Sequence, residues 1–167
     1  MQYLVQMKPR AAFGLSISLS LLSSIVIAWL FAWPWLRTLP RAQALIWLVA
    51  PHMFLRFIGL SFFVPGVVSE SLPRSWAAPA GYGDMVAGIL AIIVTIALAQ
   101  AAPWAIAAVW VFNVWGAADL LFAFYQGARI GLKPGSLGSG FYIITAIVPP
   151  LLVSHALIFR LLIGTEA

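Results

Sequence analysis

Apolar residues run along this chain in five long blocks, separated by short stretches where proline, glycine and charge gather. The blocks are 13–36, 42–64, 81–101, 103–126 and 140–162. Each is near or above the ~20 residues that a helix needs to cross a ~30 Å hydrocarbon layer. The breaks fall at Pro40, at Pro65-Gly66 through Pro79, at Pro103, and at Gly127 through Gly140 with Pro134-Gly135 inside. These residues end helices because proline lacks an N–H and glycine favours turns. A spanning β-barrel would alternate apolar and polar residues, whereas runs such as 88–98 show no such alternation. The expected fold is an all-α integral membrane protein, a single bundle of five transmembrane helices over residues 1–167.

Composition sharpens this reading. The chain is 63% apolar and only 8% charged, against about a quarter charged in an ordinary soluble domain, which excludes a water-soluble fold. Lys8 and Arg10 precede the first block as they would in a signal peptide. That block is too long for an h-region, and it ends in Trp33-Pro34-Trp35-Leu36 followed by Arg37 instead of a small-residue cleavage site, so it is expected to stay as the first helix. The absence of cysteine removes disulfides, thiolate metal sites and cysteine nucleophiles.

The net charge of +5 comes from basic residues at helix ends rather than from a clustered face. Their expected partners are lipid headgroups and not nucleic acid. With the amino terminus in the cytoplasm, Lys8, Arg10, Arg74, Arg129 and Lys133 lie inside, against Arg37, Arg41 and Arg160 outside. That bias sets the expected orientation in a bacterial inner membrane. Trp29, Trp33, Trp35, Trp47 and Trp104 then gather at the outer interface as an aromatic belt.

Ionisable residues in hydrocarbon are costly and mark candidate function. They are His52 and Arg56 in the second block, Asp84 in the third, Asp119 in the fourth and His155 in the fifth, with the amide of Asn113 beside them. Counting at ~1.5 Å per residue from the outer ends puts His52 and Asn113 roughly 15 Å deep and His155 roughly 10 Å deep. Two imidazoles at one level on antiparallel helices are what bis-histidine ligation of haem b requires, with iron between them. Arg160, Arg37 or Arg41 would then pair with the propionates. Pro51 and Pro149-Pro150 lie close to the two histidines and predict bends that open a cavity. The same count places Arg56 and Asp119 at roughly 21 and 24 Å, matched for a buried ion pair between the second and fourth helices. Asp84 falls in the expected first turn of the third helix, where the helix dipole favours a carboxylate.

Gly81-Tyr82-Gly83-Asp84 resembles the end of a potassium-channel selectivity filter, but Pro79-Ala80 stands where that motif has Thr-Val. Those residues are read as a turn and an interface anchor. Five spans and eight tryptophans give a general likeness to the tryptophan-rich sensory protein family, whose members bind porphyrins and sterols, without its Trp-Thr-Pro-Pro-type loop. No family is assigned on either. Gly-x-Ser-x-Gly, His-Glu-x-x-His and phosphate-loop motifs are absent, and with Glu70 and Glu166 outside the expected spans, paired-carboxylate hydrolysis is not expected.

Two readings follow. The first is a haem b protein using His52 and His155, an electron-transfer subunit of a larger membrane complex. The second is a non-redox protein for small-ligand or lipid binding, transport or assembly, in which buried polar residues lock helices together, alone, with other subunits or as a homo-oligomer.

Overall fold

The computed structural model describes residues 7–164, so Glu166 lies outside the described residues. Five helices among them are long and apolar enough to cross a membrane: α1 (Pro9–Leu36), α2 (Arg41–Phe63), α3 (Arg74–Ala99), α4 (Ala105–Arg129) and α5 (Gly140–Ile163). Together they make an all-helical bundle.

The largest departure from the sequence reading is at the start of α3. It begins at Arg74, directly after Pro73, and carries Pro79 inside. Pro79 sits in the second turn, where it removes the single bond its N–H would have made to the preceding turn and leaves the rest of the 26-residue helix intact. Asp84 is therefore in the third turn, away from the helix start. At the other end of α4 the helix runs to Arg129 and stops in a Schellman motif, with Gly131 left-handed at φ 63°. Its amide bonds Ala128 O, and the Leu132 amide reaches back to Gly127 O at 2.9 Å.

Three helices change their winding near proline. A π-helical turn at Ala28–Ala32 precedes Pro34, and another at Ile143–Ile147 precedes Pro149. Both widen the turn whose carbonyl the proline cannot bond. In α2 the α-helix stops at Val49, restarts at His52 after Pro51, and passes into a 3-10 helix from Arg56 to Phe63. Eight residues is long for a 3-10 run. With three residues per turn it stacks Arg56, Gly59 and Phe62 in one column, and those are its buried residues.

The core has two apolar parts. One gathers Leu36, Leu45, Val49, Leu98, Phe112 and Ile158 near the α1–α2 and α3–α4 turns. The other gathers Phe62, Trp76, Leu120, Leu137, Ile144 and Leu151 at the opposite end. There the α2–α3 and α4–α5 connections bond to each other, Ser69 N to Ser136 O at 3.1 Å and Ser139 N to Val67 O at 2.9 Å. The helix α1 packs on α5 and on the turn Pro134–Leu137, and nothing between Pro9 and Ile27 is buried. The polar residues of α2 to α5 meet between the two cores.

Candidate functional site

The centre of the site is Arg56, 1% exposed. A guanidinium has five N–H donors and no acceptor, and all five are used. Nε donates to His52 Nδ1 at 3.4 Å. Nη1 donates to Asp84 Oδ1 at 2.6 Å and to Asp119 Oδ2 at 3.0 Å. Nη2 donates to Gly116 O at 2.6 Å and to His155 Nε2 at 2.9 Å. One side chain thus ties α2 to α3, α4 and α5.

Because arginine only donates, the imidazole nitrogens facing it accept, and the rest of the network is oriented from there. His155 carries its proton on Nδ1 and donates it to Asn113 Oδ1 at 2.7 Å, while Asn113 Nδ2 donates to His155 O at 3.2 Å. His52 carries its proton on Nε2 and donates to Ser154 Oγ at 2.7 Å, and Ser154 donates in turn to Leu151 O at 2.8 Å. Both imidazoles are neutral in this arrangement. Their rings lie 4.5 Å apart and both pack on Phe112, at 5.1 and 5.3 Å.

Three glycines make the socket. A Cβ on Gly116 would sit 2.6 Å from His155 Cε1 and 3.0 Å from Arg56 Nη2. A Cβ on Gly59 would overlap the Asp84 carboxylate, and one on Gly83 would overlap that of Asp119. The Gly83 that resembled a filter residue thus makes room for a neighbouring helix's carboxylate, and its carbonyl accepts from Trp115 Nε1 at 3.3 Å. The close approach of backbones at small residues is the usual device for packing long apolar helices against one another.

The sequence count paired Arg56 with Asp119, and the two are in contact; it missed Asp84. The reason is the early start of α3. Asp84 lies ten residues from Arg74, and Asp119 ten residues from Arg129 at the same end of the bundle, so both are roughly 15 Å in. Arg56 is seven 3-10 residues from Phe63, roughly 14 Å at ~2 Å per residue. His52, His155 and Asn113 also come together, but Arg160 does not join them. Its guanidinium stacks over Trp33 at 3.8 Å. Arg41 Nη2 bonds Leu162 O at 3.1 Å, near the same end.

The imidazole pair does not fit a bis-histidine haem. Two metal–nitrogen bonds of about 2 Å on opposite faces of a porphyrin hold the ring centroids roughly 6 Å apart. Here the rings are 4.5 Å apart with no room for a macrocycle between them. Each of the four ring nitrogens already has a hydrogen-bond partner. No group of three or more metal-ligating side chains occurs among the described residues.

The carboxylates have a second surroundings. Asp84 and Asp119 lie at the deep end of a cavity of about 370 Å³ that runs to Arg10 and Gly131 at the loop end of the bundle. Between these ends the walls are almost wholly apolar, including Phe13, Phe62, Leu120 and Ile144. Trp76 closes one side and is fixed by its indole N–H to Ala123 O at 2.9 Å. The sequence offered no sign of this cavity, because its walls come from all five helices.

Fold and site define a five-helix bundle with an arginine-centred polar network between helices and an apolar cavity reaching it. The chain belongs to the family described as Domain of unknown function (DUF8737), which matches residues 12–163. No curated protein and no solved structure matches it.

Proposed function

We propose that this is an integral membrane protein that binds a small, largely apolar molecule carrying one positive charge, seated in the cavity with its charge against Asp84 and Asp119. The observation that carries the reading is an apolar cavity ending on two carboxylates that share a single arginine. Cavities of this size take small ligands, with a few polar groups fixing orientation. A depth of roughly 15 Å is about half of a ~30 Å hydrocarbon layer, so the carboxylates attract a cation from near mid-membrane. Five basic residues at the cavity's open end against three at the other support placing that end, with the amino terminus, in the cytoplasm.

Decyltrimethylammonium tests the reading, being slender, permanently charged and usable below its micelle-forming concentration. Calorimetric titration into protein in nanodiscs, against empty nanodiscs, is expected to show one saturable site. Ala128→Trp, at an exposed position on the cavity wall, is expected to weaken it at least tenfold. No saturable binding would overturn the proposal. So would a red, reducible chromophore in the purified protein that His52→Ala and His155→Ala both abolish, which would favour haem instead.

A further inference from the structure

The charges around Arg56 do not cancel. Arg56 contributes one positive charge and Asp84 with Asp119 two negative ones. The other titratable groups facing them are His52 of α2 and His155 of α5, both held neutral by accepting from Arg56. From α1, Arg10 lines the far end of the cavity at an exposed position. With both carboxylates ionised the cluster would carry a net negative charge in surroundings of low dielectric, which is costly to leave unpaired. The two oxygens bonded to Nη1 are also less than about 6 Å apart, since both lie within 3.0 Å of one nitrogen, and at that range each carboxylate disfavours ionisation of the other.

Resting on the ligand reading above, we propose that the empty cavity holds one proton on the Asp84–Asp119 pair, and that an apolar monocation binds by displacing it, one proton leaving for each cation bound. Both states are then neutral. Empty, the guanidinium is balanced by one carboxylate while the other is a carboxylic acid. Loaded, guanidinium and ligand are balanced by two carboxylates. In the exchange the acid's O–H bond breaks, its electron pair stays on the carboxylate, and the proton leaves through the cavity to water. The imidazoles cannot take that proton in place, because a second ring N–H would point at an Arg56 N–H. Exchange of a proton for a cation at one mid-membrane site is the elementary step of proton-coupled cation movement.

Three measurements on the full chain in nanodiscs test this. Infrared difference spectra of ligand-free protein should contain a protonated-carboxyl C=O band that saturating decyltrimethylammonium removes. A pH dye in weak buffer should report close to one proton released per cation bound, and affinity should tighten about tenfold per pH unit while the site is protonated. Asp119→Asn, and separately Asp84→Asn, should abolish the band and the release and weaken binding at least tenfold, with Leu22→Val on the exposed face of α1 as a control that changes none of them. Saturable binding with no proton released would overturn the exchange while leaving the ligand reading standing. The absence of any binding would overturn the ligand reading itself.

Discussion

Arg56→Met is the most informative single perturbation of this bundle. Methionine keeps much of the volume and removes all five donors, leaving Asp84, Asp119, His52, His155 and Gly116 O each short of a partner. Removing one partner of a buried ion pair costs about 3–5 kcal/mol. Here two carboxylates lose the same partner, and taking up protons can relieve only their charge, not the vacated acceptors. A loss of about 4 kcal/mol, close to 10³-fold in the unfolding equilibrium, is therefore expected. Arg56→Lys should lose less, because an ammonium keeps the charge but offers three donors in place of a planar five-donor fork. The assay is reversible unfolding in mixed detergent micelles, followed by circular dichroism and tryptophan emission. The triple variant Arg56→Met, Asp84→Leu, Asp119→Leu should recover most of the loss, since apolar replacement of a whole buried ionic cluster is often close to neutral. The double-mutant cycle between Arg56 and each aspartate should show strong non-additivity. An Arg56→Met protein within about 1 kcal/mol of wild type, or a triple variant no better than the single, would refute the reasoning.

Two further outcomes are expected. Gly116→Ala should destabilise by about 1–3 kcal/mol in the same assay, because the new methyl meets His155 and Arg56, both held by hydrogen bonds; Gly14→Ala, with nothing within 4 Å, should stay within about 0.5 kcal/mol. Cysteines placed at the exposed positions Lys8, Ser71 and Ser139 should label from one side of sealed vesicles and one at Thr38 from the other, because the two connections carrying Ser71 and Ser139 bond to each other at one end of the bundle; label on opposite sides for Ser71 and Ser139 would reject that arrangement.

The number of helices and their approximate ends were legible in the sequence because spanning length and hydropathy are local properties, readable from one segment at a time. The start of α3 was not, because whether Pro79 ends a helix or rides in its second turn depends on what surrounds that turn. That one shift moved Asp84 from a helix end into the middle of the bundle. Counting residues along helices measures depth alone, and depth was enough to bring Arg56 to Asp119. It says nothing of rotation about each helix axis. It also separated the imidazoles from the carboxylates, because it ignored the length of an arginine side chain that reaches from one group to the other. The 3-10 winding that turns Arg56 and Gly59 onto one face, and the glycines at 59, 83 and 116 that let carboxylates and imidazole approach, have meaning only against neighbouring helices. The residues that carry charge were therefore evident from the chain, while their convergence on one guanidinium and the cavity beside them were decided by tertiary packing, which alone sets the facing of helices.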